Sequence, residues 1–319
     1  MNIEKLNTTP RLLVEADFAP VQGARFQPTG FPDLGAAQFQ SSEGVPMLLV
    51  ESAQSMANRL EEVCWDSSAN DWLAPLRGLP FVEVIDAEGN APITNSVLEA
   101  HRLNSPYITG AKSNDGKAFL DLLKTEFGIT KKSGPDLEAV PSVCFKYDPN
   151  SLIHGVFLEK AAGVIRKPRA MTSFIEASDV RVAPSGGVKN DRVSAKKNTE
   201  AERSAKEGFG NVPFHRDEFT GRITAYFNVD LAQIRGYGLS KEATDLLTAI
   251  SLYKIQRLLS LPFRPRTACD LETTEVRVQR PDGFSLPSLA EIEEALPGLI
   301  EAAASGFASP AKTTLSFAL

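Results

Sequence analysis

The sequence predicts an α+β protein built on a ferredoxin-like (split βαβ) sheet with large insertions. Three observations predict it. Apolar residues alternate at the two ends of the chain and give strands there. Helical periods follow two of those strands. The order strand, helix, strand appears from Arg11 to Asp86 and returns from Ile223 to Gln279. A chain of 319 residues can bury a full core, and residues 1–319 read as a single elaborated domain with a helical tail over 281–319.

Arg11 to Phe18 places Leu12, Val14, Ala16 and Phe18 on one face and reads as a strand. The loop from Gly23 to Gly35 carries two prolines and two phenylalanines, which predicts an ordered, packed excursion. Met47 to Cys64 has helical period, with Leu49, Ala53, Met56, Leu60 and Val63 on one face. Gln54, Ser55, Asn58 and Arg59 lie opposite. Amides, a hydroxyl and a guanidinium suit phosphate or ribose, and a solvated helix face fits the same spacing. Leu79 to Asp86 reads as a second strand. Thr94 reads as the cap of a helix through Leu103, and Lys117 to Phe127 as another helix. Lys131 to Pro141 is a polar linker. Leu152 to Leu158 and Met171 to Val180 read as further strands. Ile223 to Val229 gives the clearest alternation in the chain. Ser240 caps a helix from Lys241 to Leu259, with Glu242 in its first turn. Apolar residues cover much of that helix, which predicts burial. Glu275 to Gln279 closes the sheet, and Ser288 with Glu291 forms a capping box for a C-terminal helix.

Charge is unevenly placed. Lys160 to Lys206 holds eleven Lys or Arg against five Asp or Glu, on a chain with 34 basic and 40 acidic residues. The stretch is +6, so the rest of a chain at −6 stands at −12. Positive charge confined to one place on an acidic protein points to a polyanion partner. Within the stretch, Arg166-Lys167-Pro168-Arg169 precedes a strand. Pro184 to Arg192 (PSGGVKNDR) reads as a break in regular structure. Glycines let backbone approach a phosphate, and Lys189, Asn190 and Arg192 beside them supply charge and donors; a solvated loop has the same composition. Ser194 to Glu207 has almost no large apolar residue and is expected to project into solvent or onto a partner.

Other chemistries leave no trace. No apolar run approaches the roughly 18 residues of a membrane span, and the N-terminus (MNIEKLNTTPRLLVEADF) does not read as a signal peptide. Cys64, Cys144 and Cys269 are odd in number and far apart, which fits a reducing cytoplasm. His101, His154 and His215 stand at no metal-ligand spacing. There is no CxxC, GxSxG, HExxH or phosphate-binding GxxxxGK[ST] motif. No cofactor and no metal are expected. His215, between Phe214 and Arg216, is the best general-base candidate, and a histidine beside arginine can cleave RNA by activating a 2′-hydroxyl. It equally suits donation to a phosphate. His154 reads as a core histidine in an apolar strand. Tyr226 and Tyr237 suit base stacking or packing.

Several long segments carry a resemblance. They are ARFQPTGFPDLGAA (Ala24–Ala37), LLVESAQSMANRLEEVCWD (Leu48–Asp66), LEAHRLNSPYI (Leu98–Ile108), RAMTSFIEASDVRVAPSGGVKNDRV (Arg169–Val193), EGFGNVPFHRDEFT (Glu207–Thr220) and ITAYFNVDLAQIRGYGL (Ile223–Leu239). Together they resemble the backbone subunit of type I-G (formerly I-U) CRISPR effector complexes, in the RAMP superfamily, from about Arg11 to Glu272. The resemblance implies an RRM-like palm with a projecting thumb hairpin, the thumb lying within 184–213. It implies copies stacked head to tail along the spacer of a guide RNA in a Cascade-like complex. The target DNA strand pairs with that guide, and other subunits process the guide and cut DNA. On this reading Arg166, Lys167, Arg169, Lys189, Asn190 and Arg192 hold the RNA backbone. Gln54, Ser55, Asn58 and Arg59 are second candidates, and Arg25 and His215 are further ones. Such a subunit binds no membrane and is not an enzyme; the alternative is a metal-independent endoribonuclease using His215.

Overall fold

The computed structural model describes residues 1–30, 35–88, 91–113, 115–130, 133–163, 165–190, 211–266 and 269–318. Its first strand, β1 (Arg11–Pro20), buries Leu12, Val14, Ala16 and Phe18 in the expected alternation. An edge pair follows, β2 (Gln38–Gln40) and β3 (Pro46–Glu51), and then α1 (Ala53–Glu62). The single helix expected from Met47 is therefore half strand. Leu48 and Val50 alternate at 0% exposure, and the Ser52 hydroxyl accepts from the Ser55 amide, starting the helix only there.

A second body of elements comes next. β4 (Trp65–Asp66) and β5 (Asp71–Trp72) form a short clip, and β6 (Phe81–Asp86) pairs with β7 (Pro92–Asn95). Thr94 is a residue of β7 and donates to Glu99 Oε1 at 2.7 Å, so no helix runs from Thr94 to Leu103. α2 (Pro106–Thr109), α3 (Phe119–Glu126), α4 (Ala139–Tyr147) and α5 (Asn150–Ile153) follow. Pro141 sits in the first turn of α4, so the polar linker is shorter than expected. Asp148 Oδ1 accepts the Asn150 amide at 3.0 Å and opens α5. His154 thus closes a helix and does not lie in a strand; only β8 (Val156–Leu158) survives of the strand expected there. After α6 (Glu159–Ala162), β9 (Ile165–Lys167) pairs back on β8.

The longest strands among the described residues are β10 (Met171–Lys189) and β11 (Val212–Asp230), 19 residues each. Their register runs from Met171 opposite Val229 to Lys189 opposite Val212. Pro184 to Lys189 therefore extends a ladder and does not break it. The glycine is there for the partner strand, since a Cβ at Gly186 would lie 2.6 Å from the Phe214 carbonyl oxygen. Alternating burial holds through Ala177, and most of the described residues among 181–190 and 211–214 are exposed, so the hairpin leaves the body. Its far portion, with Arg192 and the Ser194 to Glu207 stretch, lies outside the described residues.

α7 (Leu231–Arg235) leads to α8 (Lys241–Leu259), capped by Ser240 and largely buried as its composition required. β12 (Phe263–Arg266), β13 (Cys269–Arg280), α9 (Leu289–Ala303) and β14 (Lys312–Phe317) complete the chain. The expected helical tail thus ends in a strand, which pairs in parallel with β6. The main sheet is antiparallel throughout, in the order β12-β13-β1-β11-β10-β3-β2. α1 and α8 pack together behind it. The strand paired with the first helix in this fold is β10. The candidate proposed from sequence, Leu79 to Asp86, belongs to a separate three-stranded sheet. Phe81, Val82, Glu83 and Val84 are all buried, which is the signature of a strand covered on both faces, with the Trp65 and Trp72 rings edge-on to Phe81. No helix among the described residues is long and apolar enough to cross a membrane. All three cysteines are buried free thiols.

Candidate functional site

The outer face of the main sheet is acidic. Alternation sends Glu15, Asp17, Glu176, Tyr226 and Phe174 outward while their neighbours fill the core. Phe174 and Tyr226 stack at 5.0 Å and 24°. Carboxylates surround them. Arg277 is held by Asp17 at 2.7 and 2.8 Å and by Glu275 at 2.9 Å, and this guanidinium keeps the Asp17 carboxyl below its usual range. Burial, with Glu15 and Glu176 close by, pushes the Tyr226 phenol up. A face with this excess of negative charge repels phosphate.

Positive charge gathers where the hairpin leaves the sheet. Phe26 bridges to Phe219 by two backbone hydrogen bonds of 2.9 Å, with the rings 6.4 Å apart, and this fastens the loop after β1 against β11. The packed excursion read from sequence is seen here; Phe31 to Leu34 fall outside the described residues. From that anchored loop, Arg25 Nη1 reaches Glu218 Oε2 at 2.9 Å and donates to Ser185 Oγ at 3.4 Å. Arg216 Nη2 meets the other oxygen of Glu218 at 3.1 Å. One carboxylate, 9% exposed, therefore orients two half-exposed guanidiniums and neutralises only one.

His215 and Asp217 alternate with these residues along β11. His215 opens into a cleft of about 530 Å³ that also involves Gln27, Gly35, Gln38 and Arg266. Arg266 Nε donates to the Pro28 carbonyl at 3.3 Å and its Nη2 to the Gly30 carbonyl. These bonds place its charge without cancelling it. The site is thus two flanks of one hairpin base, each built from the loop after β1 and from β11. Its lining sets three guanidiniums (Arg25, Arg216, Arg266) and amide donors beside two carboxylates (Asp217, Glu218), a small positive excess that suits an anion.

The structure divides the residues proposed from sequence. Arg25 and His215 come together at the hairpin base. Lys189 and Asn190 lie exposed further along the hairpin. Arg192 lies outside the described residues. Arg166, Lys167 and Arg169 stand before Met171, at the opposite end of β10. Eighteen rises of roughly 3.3 Å separate the ends of a strand of this length, up to about 60 Å. The basic stretch is therefore not one patch, because strand extension carries its two ends apart. Gln54, Ser55, Asn58 and Arg59 line neither cavity at the hairpin base. Gln54 and Asn58 are exposed on α1, and Ser55 is half-buried and supplies the capping amide. Arg59 is a structural cation, 3.0 Å from the buried Glu51 and 4.6 Å over the Phe263 ring. Sequence reading missed Arg216 as a binding residue, although it adjoins His215. It also missed Arg266, Gln27 and Ser185, which only folding brings to the site.

A family model for CRISPR-associated protein GSU0053 (Cas_GSU0053) matches residues 12–182, more than half of the chain. The chain belongs to this CRISPR-associated family. The match spans the loop that carries Arg25, α1, β8, β9 and the outgoing arm of the hairpin up to Val182. Among solved structures, a chain of a "CRISPR RNA-guided surveillance complex, pre-nicking" is similar at 14% identity, over 92% of this chain and 88% of its own, with a TM-score of 0.43. A second, from a "CRISPR RNA-guided surveillance complex", is similar at 14% identity over 92% and 84%, with a TM-score of 0.38. Csc2 of Thermofilum pendens is similar at 10% identity over 95% and 80%, with a TM-score of 0.30. No curated protein matches the chain.

Proposed function

We propose that this GSU0053-family chain is a guide-RNA-binding backbone subunit of a Cascade-type CRISPR effector, of the I-G subtype. The observation that supports it most is a hairpin of two 19-residue strands leaving the sheet, with Arg25 and Arg216 oriented on Glu218 at its base, in a chain of a CRISPR-associated family. β1, α1, β10, β11, α8 and β13, with their sheet order β13-β1-β11-β10, follow the ferredoxin-like arrangement. In this reading the sheet is an RRM-like palm and the hairpin is the thumb. RNA runs past the hairpin base and not across the acidic outer face. Contacts by guanidinium and amide go to phosphate and ribose, so spacers of any sequence are held alike. Copies repeat head to tail along the guide, an interface that does not close on itself. The target DNA strand then pairs with the guide they present, beside other effector subunits. The setting is the cytoplasm, and the subunit itself does not cut.

The experiment is stoichiometry. The chain is purified with guide transcripts of several lengths and the complexes are weighed. Copies per guide that rise with spacer length are expected, and one copy whatever the length overturns the proposal. Incubation of labelled guide with the wild type and with His215→Ala is expected to leave RNA intact in both. Cleavage lost in the variant would make the chain an endoribonuclease.

A further inference from the structure

The β8–β9 hairpin carries a second cluster, remote from the thumb. Val156, Leu158 and Ile165 point into the core, so alternation turns Phe157 and its cross-strand partner Arg166 outward together. The Arg166 guanidinium lies over the Phe157 ring, 4.5 Å from its centroid. Phe157 is 37% exposed and Arg166 is exposed. Gly155, at φ +81°, makes the close turn beneath: a Cβ there would lie 3.0 Å from the Arg169 amide nitrogen and from the Lys167 carbonyl oxygen. The backbone can therefore bring Arg169 against β8.

Among the described residues no carboxylate lies within ion-pair distance of Arg166, Lys167 or Arg169, while Arg11, Arg25, Arg59 and Arg102 each have one. Lys160 adds a further cation, bonded to the Thr109 hydroxyl at 3.1 Å. On a chain of net charge −6, cations left unneutralised this closely together favour a polyanion. The ring adds something a phosphate does not need. The Phe157 ring lies against the guanidinium, while Arg166 remains exposed. A planar cation backed in this way fits a planar partner, and every nucleobase has a π-face.

We propose that Arg166, backed by Phe157, stacks an unpaired base of single-stranded nucleic acid, with Lys167 and Arg169 on the flanking phosphates. This is a second contact, separate from the hairpin base, and it rests on the reading of the chain as nucleic-acid-binding. The bases it takes belong either to the guide RNA or to a single strand of DNA.

The test uses the full chain and short single-stranded oligonucleotides, as RNA, as DNA and as abasic strands of equal length. Arg166→Lys keeps the charge but loses the plane, and Phe157→Leu removes the backing ring. Both are surface changes, checked by an unchanged melting curve. Each is expected to weaken binding of base-bearing strands about tenfold while leaving abasic strands bound as by the wild type. Whichever of RNA and DNA shows the loss identifies the strand. Equal affinities of wild type and both variants for base-bearing strands overturn the inference. An equal loss on abasic strands also overturns it, leaving only an interaction with phosphate. Arg25→Glu with Arg216→Glu is measured alongside. If that variant loses binding and the Arg166 variant does not, this inference fails and the proposed function stands. If the wild type binds no strand, both fail.

Discussion

Arg102 is where the helical insert is fastened to the main sheet's first helix, and its removal should be costly. Its guanidinium makes two hydrogen bonds of 2.7 Å to the two oxygens of Glu61 on α1 and one of 3.2 Å to the Gly155 carbonyl. The side chains are 7% and 2% exposed. Arg102→Ala leaves Glu61 buried with its partner gone. The neighbouring cation, Lys254, is committed to the Leu60 carbonyl at 3.1 Å. An uncompensated buried charge of this kind costs about 3–5 kcal/mol. Burial already pushes the Glu61 carboxyl up, and Arg102 draws it back down. The balance already leaves Glu61 above its ordinary value, and without Arg102 it rises further, so the folded variant keeps that proton to higher pH than the folded wild type does. The loss must therefore grow as pH rises, by up to about 1.4 kcal/mol per pH unit while Glu61 titrates. Chemical denaturation followed through the buried Trp65 and Trp72, the only two tryptophans, measures it. Glu61→Leu with Arg102→Met should cost less than Arg102→Ala, since it leaves no charge behind. A loss below about 1 kcal/mol for Arg102→Ala, or a loss independent of pH, would refute the reasoning.

Other expectations are as direct. Arg25→Glu with Arg216→Glu should weaken guide binding equally for unrelated spacers and lower the salt slope by about 1.4, roughly 0.7 for each phosphate of a single strand that is no longer neutralised; a loss confined to one spacer would contradict backbone recognition. Gly186→Val must push the Phe214 carbonyl away, so hydrogen exchange should quicken along the hairpin while the tryptophan-detected transition stays in place; unchanged exchange would show that the close approach is not needed. His154 is 1% exposed with neither ring nitrogen bonded, and burial holds it neutral well below the usual range. The unfolded chain takes up that proton near pH 6.5 and the folded chain does not, so stability should fall by up to about 1.4 kcal/mol per unit below pH 6.5. His154→Leu should remove this loss, and a parallel pH profile in the variant would count against it. Burial raises Asp148 to about 7 from its ordinary 3.8, so the folded chain keeps a proton that the unfolded chain sheds, and stability should decline as pH rises between those values. Asp148→Asn should flatten that decline in melting experiments, and an unaltered slope would rule the group out.

The amino-acid order by itself determined whatever depends on near neighbours. β1, α8, the Ser288–Glu291 cap and the alternating arm of β11 were legible because their periods and caps are written within one turn or one strand. The confined positive charge and the resemblance to a CRISPR-associated family were legible too. Tertiary structure decided which strands are partners. β10, not the segment ending at Asp86, lies beside β11, and the chain's last strand returns to β6, because pairing depends on burial that distant residues supply. It also decided what the charges can do together. Extension along one long strand drew Arg166 away from Lys189, while folding drew Arg25 and Arg216, far apart in sequence, onto the two oxygens of Glu218. Electrostatic work is done over distances in space, and those are fixed only when the chain closes.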